Sequence, residues 1–499
     1  MNFAEAAKNE TKWTTTENGA VALNTTSNPL LDFFSVVGSL RDADDERIFR
    51  LFDEAYANDK LFATKILFYA RDIRGGVGER DTFRKILNYC ANNHPEAIRH
   101  NITLIPEYGR WDDLYSLVGT PLEDEMWEYM RVRFVSDLAL MEAGKPTSIL
   151  AKWVKSADAS SLNTKRLGIY TAKKLGYSVY DYKRKYKALR KYIDVTERKM
   201  SRNEWGAIDY EAVPSYCMLK HRNAFKKHDD KRFTEYAQKA VNGDVKIHSA
   251  TLYPYDIIGK ILSMDWWNRG VIKNNLSKTD LDVINAQWNQ LPNYVEEGSN
   301  VVVIADTSGS MCCSGGRPLY SAVGLAIYFA QRNKGAFHNL WMNFSDKPHF
   351  NVIKGERLEN IINSMNFDDW MGGTNLHAAL SLVLDVAVKN NIPQNDMPKS
   401  IVIISDMEIN QCTSKTWTFY DQMAEEFSEA GYQIPSIVFW NVESRHDIYH
   451  SDNTRKGVQL VSGQSTSVFK TLMSLVDLNP VEAMEMVINS DRYSHIIVK

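Results

Sequence analysis

Four short apolar segments in the C-terminal part of the chain alternate with longer amphipathic segments. The apolar segments are VVVIAD (301–306), NLWMNFSD (339–346), SIVIISD (400–406) and IPSIVFWN (434–441). Helical patterns occupy residues 319–332, 376–390 and 417–431 between them. Apolar strands that alternate with helices are typical of a mostly parallel sheet with helices on both faces. From about residue 298 onward, the sequence therefore predicts an α/β domain.

The preceding part of the chain has a helical pattern. Apolar residues recur there at three- and four-residue spacing, as in DDERIFRLFDEAYAND and LFATKILFYARDIR. Short helices joined by short polar turns are typical of stacked helical hairpins, so residues 29–295 are predicted to form an α-helical arch or ring. The polar residues 1–28 are predicted to be a flexible arm. A final helix in residues 476–499 is predicted to pack back on either domain.

Composition limits the class of protein. A chain of 499 residues with 44% hydrophobic and 24% charged residues is expected to form two or three globular domains. No apolar run reaches 18 residues and the start lacks a signal-peptide pattern, so we expect neither a membrane span nor secretion. Five irregularly spaced cysteines favour a reducing compartment, and hence a cytoplasmic location.

Charge is distributed unevenly along the chain. Residues 151–250 contain 23 Lys and Arg against 11 Asp and Glu, a net charge of +12 in a chain whose total is −3. Residues 299–499 carry a net charge of −6. A basic middle beside an acidic C-terminal part suggests an anionic partner for the middle. The alternative is a set of solvated helix faces.

Three loops at the carboxyl-terminal edge of the predicted sheet contain small side chains with carboxylate or hydroxyl oxygens. They are Asp306, Ser308 and Ser310 in DTSGS, Thr374 in WMGGTNL, and Asp406 in ISDME. Because ligands gather at the carboxyl ends of parallel strands, we expect these side chains to lie together. Carboxylates and hydroxyls suit a hard divalent cation, Mg²⁺ first, with Mn²⁺ or Ca²⁺ as alternatives. Any one of the loops alone is better explained as a helix cap.

The order D-T-S-G-S-M, G-G-T-N and S-D resembles the metal-ion-dependent adhesion site (MIDAS) of von Willebrand factor A domains. The resemblance covers about residues 298–475 and implies a doubly wound sheet flanked by helices. It implies that Ser308, Ser310 and Thr374 are direct or near-direct metal ligands. Asp306 and Asp406 would act directly or through water. Such domains generally bind partners without catalysis, so we expect no enzyme activity.

A helical module followed by such a domain resembles the layout of the Ro autoantigen (TROVE-type) family. Residues 17–39 resemble the start of its helical module, and residues 68–87 and 108–117 resemble an uncharacterised bacterial and phage family with the same layout. The Ro resemblance implies HEAT-like helical repeats that form a ring. It also implies structured or misfolded RNA as a partner, and single-stranded RNA is the alternative that we expect.

The segment YKRKYKALRKYI (182–193) predicts a helix with one buried and one basic stripe. Tyr182, Tyr186, Leu189 and Ile193 recur at helical spacing and are predicted to face the core. The candidate RNA-binding residues adjoin that stripe and are Lys183, Arg184, Lys187, Arg190 and Lys191. Binding of phosphate at such a ridge is mainly electrostatic. A solvated helix face is the competing interpretation.

Cys312 and Cys313 follow the first loop, and Cys412 follows the third. Two adjacent cysteines are poorly placed to bind one Zn²⁺, so we predict free thiols. A zinc or redox role is the alternative.

Three functions are compatible with these patterns. The first is a non-catalytic RNA-binding scaffold whose metal site captures an acidic group of a protein partner. The second is a protein-binding adaptor, in a chaperone-type or viral structural complex, that uses the metal site without nucleic acid. The third is a metal hydrolase, which is disfavoured because Glu408 is the one nearby candidate for a general base.

Overall fold

The computed structural model describes residues 12–265, 270–295, 299–411, 418–469, 475 and 477–499. A first hairpin contains β1 (Trp13–Thr15) and β2 (Val21–Leu23). The helices that follow are α1 (Pro29–Val36), α2 (Asp45–Asn58), α3 (Lys60–Arg71), α4 (Asp81–Asn93), α5 (Pro95–Arg99), α6 (Ile105–Tyr108), α7 (Glu123–Glu142), α8 (Leu150–Trp153), α9 (Leu162–Lys174), α10 (Val179–Tyr192), α11 (Thr196–Ser201), α12 (Ser215–His228), α13 (Asp230–Asn242) and α14 (Pro254–Ile261). A second hairpin, β3 (Leu262–Asp265) and β4 (Gly270–Lys273), precedes α15 (Lys278–Asn289). None of the described helices combines the length and the apolarity needed to cross a bilayer.

Local signals explain where several of these helices begin. The side chain of Asn28 accepts hydrogen bonds from the first turn of α1, and Pro29 follows it at a position where no backbone donor is needed. Ser178 caps α10 in the same way, through the backbone N–H of Asp181. Tyr182 and Leu189 of α10 are buried, as the apolar stripe predicts.

The C-terminal module is a six-stranded sheet with helices around it. Its strands are β5 (Val301–Asp306), β6 (Leu340–Phe344), β7 (His349–Val352), β8 (Ser400–Ser405), β9 (Ser436–Asn441) and β10 (Val458–Ser462). Its helices are α16 (Cys313–Arg332), α17 (Leu358–Asn363), α18 (Leu376–Asn390), α19 (Phe419–Glu429) and α20 (Pro480–Ile488). The strand order is β10-β9-β8-β5-β6-β7, and every pair is parallel except β6–β7. The order reverses between β5 and β8, as expected of a doubly wound sheet.

Both faces of the sheet are buried because successive residues of each strand point to opposite sides. On one face, Ile304 of β5 belongs to the same core as Leu380 of α18 and Phe427 of α19. On the other face, Val303 shares a second core with Leu325 of α16. The mostly parallel sheet covered on two faces is therefore present.

The N-terminal hairpin lies against the C-terminal module, although the sequence predicts a flexible arm over residues 1–28. Leu23 and Tyr449 exchange two backbone hydrogen bonds of 2.9 Å, and Gly19 forms a bridge with Asn410. Ala22 is fully buried. The described part of the arm, residues 12–28, is thus held by backbone pairing that its polar composition did not indicate.

Two features of the helical module differ from the expected pattern. The β3–β4 hairpin is antiparallel and lies within residues 29–295, which are predicted to be helical. The HEAT-like repeat is not confirmed, because helix lengths in the module range from 4 to 20 residues. The boundary between the helical and α/β modules, predicted between residues 295 and 298, lies partly outside the described residues.

The C-terminal segment bridges the two modules. Helix α20 contacts α1 and α3 of the helical module and β10 of the sheet. Beyond it, Arg492 donates two hydrogen bonds to Asp72, at 2.7 and 2.8 Å, and Tyr493 donates a third at 3.2 Å. The side chain of Asp72 is fully buried, so its charge depends on these donors.

Replacing Arg492 with Met is expected to destabilise the protein by about 3 kcal/mol, because it leaves the buried carboxylate of Asp72 without its cation. Chemical denaturation of the full chain measures this change. Arg131→Met is the matched control, since its ion pair with Glu128 is exposed and should contribute less than about 1 kcal/mol. Equal losses of stability in the two variants would contradict a stabilising role for the Arg492–Asp72 ion pair.

Candidate metal centre and nucleic-acid interface

The first loop of the candidate metal centre begins where β5 ends. Asp306, the last residue of β5, is fully buried. Its carboxylate accepts a hydrogen bond from the backbone N–H of Ser308 at 2.8 Å and another from the hydroxyl of Ser405 at 2.5 Å. Ser405 ends β8, so this second bond spans the point where the strand order reverses. Ligands of open α/β sheets bind at such points.

Backbone hydrogen bonds join the first loop to the second. The N–H of Gly309 donates to the carbonyl of Gly372 at 2.9 Å, and the N–H of Met371 donates to that of Thr307 at 2.8 Å. A Cβ atom on Gly309 would lie 3.1 Å from the carbonyl oxygen of Met371. The absence of a side chain at residue 309 therefore allows the two loops to approach closely.

Asn410 joins the second loop to the third. Its side-chain oxygen accepts from the N–H of Thr374 at 3.0 Å, and its own N–H donates to the carbonyl of Thr374 at 2.9 Å. The N–H of Gly373 donates to the carboxylate of Asp346 at 2.9 Å. A Cβ on Gly373 would lie 2.7 Å from side-chain atoms of both Asn410 and Asp346, so this turn also requires glycine.

The third loop carries Asp406, whose side chain is fully buried. One carboxylate oxygen accepts the N–H of Glu408 at 3.2 Å, and the other accepts a guanidinium N–H of Arg445 at 2.9 Å. Ser308 and Thr374 are also almost fully buried, and the hydroxyls of Ser308 and Ser310 lie 3.1 Å apart. The three predicted loops thus meet at one edge of the sheet.

The donor set fits a hard cation. Burial, together with the nearby charge of Asp406, raises the pKa of Asp306 above the ordinary value of an aspartate. Two buried carboxylates at one site repel each other, and a bound cation would offset that repulsion. Within the described residues no group of three or more His, Cys, Asp or Glu side chains is placed to hold a metal. A cation here would depend on hydroxyls as well as carboxylates, and metal binding by the five residues stays a prediction.

Sequence patterns missed four residues that build this centre: Ser405, Asn410, Asp346 and Arg445. Ser405 and Asp346 had a detectable signal, since each lies at or just beyond the end of an apolar strand segment at the same sheet edge. Asn410 and Arg445 had none, because their roles depend on contacts between loops.

The thiols beside the first loop are protonated at neutral pH. Burial raises the pKa of Cys312 to about 11. Burial and the carboxylate of Glu443 raise the pKa of Cys313 to about 12. Both are free cysteines, and the sulfur of Cys312 lies 2.8 Å from that of Met371. Cys412 lies outside the described residues.

A large cavity opens within the helical module. Its volume is about 2140 Å³, and its lining includes 13 Lys and Arg against 5 Asp and Glu. The aromatic residues of the lining are Trp111, Trp153, Tyr186, Tyr216, Tyr253, Tyr255 and Tyr294. Residues 465–467, which follow β10, complete the wall from the C-terminal module. The lining residues carry an excess of eight basic side chains, of which Arg41 and Arg71 pair with the carboxylates of Glu79 and Asp113 outside the lining. The remaining excess of positive charge on a concave surface attracts polyanions.

Four of the five candidate RNA-binding residues line this cavity: Arg184, Lys187, Arg190 and Lys191. The fifth, Lys183, is not part of the lining. The five residues are not equally available to bind phosphate. Lys187 forms an ion pair with Asp158 at 2.6 Å, and Lys183 lies 3.5 Å from the same carboxylate. The hydrogen bond from Lys187 and the proximity of its charge lower the pKa of Asp158.

Arg190 has a structural role. Its guanidinium donates to the carbonyls of Ala151 and Val154 at 2.7 and 2.8 Å and lies over the ring of Tyr186. These contacts connect α10 to the region of α8. Arg190 is therefore a poor candidate for a phosphate contact, in contrast to the prediction from its spacing.

Lys191 and Lys220 line the cavity without an acidic partner among the described residues. Tyr216 lies one helical turn before Lys220 on α12, and its side chain is 55% exposed. An exposed ring beside an available ammonium group can stack on a base while the lysine contacts phosphate. Neither residue was among the RNA-binding candidates predicted from the sequence, which all lie in residues 182–193.

Two family models match the chain, and the first of them covers more than half of it. A family model described as "Domain of unknown function (DUF2828)" matches residues 16–145 and 147–300. A second model, described as "Domain of unknown function (DUF7788)", matches residues 300–495. "Uncharacterized protein L728" of Acanthamoeba polyphaga mimivirus is 26% identical over 514 aligned residues, which cover 94% of this chain and 86% of that protein.

Two solved structures show weaker similarity. The Ro (RSR) protein of Deinococcus radiodurans has a TM-score of 0.38 and 11% identity, and the alignment covers 91% of this chain and 99% of that one. Proximal thread matrix protein 1 of the mussel byssus, with a zinc-occupied MIDAS motif, has a TM-score of 0.26 and 13% identity over 36% of this chain and 48% of that one. Neither score is high enough to assign a fold or a function.

Replacing Thr374 with Val is expected to weaken Mg²⁺ or Mn²⁺ binding by about tenfold or more, because it removes one hydroxyl from the site and preserves the shape of the side chain. Isothermal titration calorimetry of the full chain gives the affinities. Thr234→Val, on α13, is the matched control and should bind like the unmodified protein. Equal metal affinity in both variants would exclude Thr374 as a ligand.

Proposed function

The chain belongs to the family described as "Domain of unknown function (DUF2828)", and we propose that it is a non-catalytic RNA-binding scaffold. Its metal centre captures an acidic group of a protein partner. The observation that carries the RNA part is the cavity, whose lining has more basic than acidic residues and includes the largely exposed ring of Tyr216. Basic residues bind the phosphate backbone, and aromatic rings stack on unpaired bases.

The chemistry of the lining favours a single strand or an unpaired region over a duplex. Tyr216 presents a largely exposed ring to the cavity, and bases can stack on it only when they are not paired. Lys191 and Lys220 supply charge that no carboxylate of the described residues neutralises. Together these side chains provide a sequence-tolerant contact with RNA.

The metal centre supports capture of a partner. Ser308, Ser310 and Thr374, with Asp306 and Asp406, are the residues that would hold the cation. A bound cation of this kind supplies an electrophilic position for a partner's carboxylate. Glu408, the general-base candidate from the sequence, is buried and accepts hydrogen bonds from the N–H of Glu17 and from the ring of His446, which favours a non-catalytic role.

Substituting Arg184, Lys187 and Lys191 with Gln is expected to weaken RNA binding and to flatten its dependence on salt. The slope of log affinity against log salt should fall by about 0.7 for each phosphate that the variant no longer neutralises. Fluorescence anisotropy with a 20-nucleotide oligouridine and with an RNA duplex measures both quantities over a salt series.

The control for this experiment carries the same change in charge outside the cavity. Lys165, Lys231 and Lys239 are exposed and do not belong to the lining, so their replacement by Gln should leave the slope nearly unchanged. An unmodified protein that fails to bind oligouridine or duplex at low salt would remove RNA from the function.

The alternative is an adaptor that binds protein through the metal centre alone. The buried pair Asp306 and Asp406, at the edge of a separate module, favours metal-dependent capture whether or not RNA is bound. In a pull-down with the full chain, a specific protein partner should be lost with EDTA and with Asp306→Asn, and kept in the control Asp421→Asn. If that partner is retained without nucleic acid in the complex, the adaptor function is favoured over the scaffold.

A further inference from the structure

The turn of the N-terminal hairpin is bonded directly to the third loop of the metal centre. The N–H of Glu17 donates to the side chain of Glu408 at 2.7 Å, and the side chain of Asn18 donates to the backbone carbonyl of Glu408 at 2.6 Å. The hydroxyl of Thr16 donates to the carbonyl of Ile409 at 2.6 Å. These bonds place the hairpin turn within a few residues of Asp406.

Arg445 connects this turn to the metal centre. One nitrogen of its guanidinium lies 2.9 Å from the carboxylate of Asp406, and another lies 2.7 Å from the carboxylate of Glu17. The third nitrogen, Nε, is buried and has no hydrogen-bond partner among the described residues. Arg445 itself is about one-third exposed, whereas Asp406 is fully buried and Glu17 is 43% exposed. The guanidinium thus has its inner side on the predicted metal site and its outer side on Glu17.

A guanidinium recognises carboxylates through paired N–H donors in one plane. Any acidic group that approaches a cation held by Asp306 and Asp406 would meet Arg445 next to it. Glu17 already occupies the outward-facing donor of that arginine with the same chemical group. Its ion pair is partly exposed, and such pairs contribute little to stability, so an incoming carboxylate can replace it at small cost.

We propose that Arg445 is the specificity-determining residue of the metal centre, and that Glu17 is an internal carboxylate which the partner's acidic group displaces. The proposal rests on the metal centre of the proposed function and goes beyond it in naming how the partner is selected. A carboxylate is favoured because it can contact the cation and the guanidinium together. The hairpin backbone stays bonded to residues 408–411 while the Glu17 side chain moves away.

The first test uses the metal alone. Arg445→Gln removes a positive charge beside Asp406, so it should tighten Mn²⁺ binding roughly fivefold in isothermal titration calorimetry of the full chain. A residue with only a structural role would leave the affinity unchanged or weaken it. Arg455→Gln is the matched control, because Arg455 forms a similar half-buried pair with Asp421 in the same module.

The second test adds a hexaglutamate peptide as a carboxylate probe, at a Mn²⁺ concentration that saturates each variant. Arg445→Gln should weaken binding of the peptide by about tenfold, since it loses a charge-assisted hydrogen bond. Glu17→Gln should tighten it about threefold, because the internal competitor is removed while the Glu17 backbone bond remains. Hydrogen exchange of residues 12–23 checks that the hairpin stays docked in each variant.

The outcomes separate this proposal from the function on which it rests. If the unmodified chain binds no Mn²⁺, the metal centre and the role of Arg445 both fail. If it binds Mn²⁺, but both substitutions leave metal and peptide affinities equal to those of Arg455→Gln, the metal centre stands and the role of Arg445 is overturned.

Discussion

The hydrogen bond from Ser405 to Asp306 fixes the centre of the C-terminal module. It joins β5 to β8 at the place where the strand order reverses, and there the loops that follow the two strands diverge. Asp306 has no basic partner among the described residues. It depends on the hydroxyl of Ser405 and the N–H of Ser308 for its hydrogen bonds. The position of this carboxylate therefore depends on the register of the two strands.

The positions of the second and third loops depend in turn on the first loop, which follows β5. Gly309 lets the second loop lie against the first, and Asn410 then connects the second loop to the third. Each connection includes a backbone hydrogen bond, so the loops are joined without using the hydroxyls of Ser310 and Thr374. Because a glycine or an asparagine is needed at each junction, the site is specified by its turns as much as by its oxygen ligands.

The fold could be predicted where the local sequence carries a strong signal. The segments of β5 and β8 are continuous apolar runs, and their burial on both faces follows from that composition. Strand β10 was not predicted, because the polar residue Gln459 interrupts its apolar run. The side chain of Gln459 is nevertheless buried, since it donates hydrogen bonds to the carbonyls of Leu475 and Leu478. The four-residue edge strand β7 and the three-residue strands of the first hairpin are too short or too polar to give a pattern.

The candidate sites, too, could be predicted only where the local sequence carries a signal. The order of Asp306, Thr374 and Asp406 along the chain was sufficient to predict that three loops would meet. The role of Arg445 could not be predicted from the sequence, because its partners Glu17 and Asp406 lie far from it in sequence and on different elements. Charge alone also misjudged α10, where the tertiary fold directs Arg190 to backbone carbonyls and Lys187 to Asp158.

Two consecutive residues connect the cavity to the metal centre. Arg41 lines the cavity and pairs with Glu79 at 2.6 Å, while Asp42 accepts a hydrogen bond from the hydroxyl of Ser314, just after the first metal loop. Ser314 has a left-handed backbone, with φ of 52°, which places its hydroxyl at the boundary between the modules. A direct connection of this kind does not by itself make the sites allosteric, because coupling requires two alternative arrangements. It does place the wall of the cavity directly beside the first metal loop, so partners bound at the two proposed sites would lie on adjoining parts of the chain.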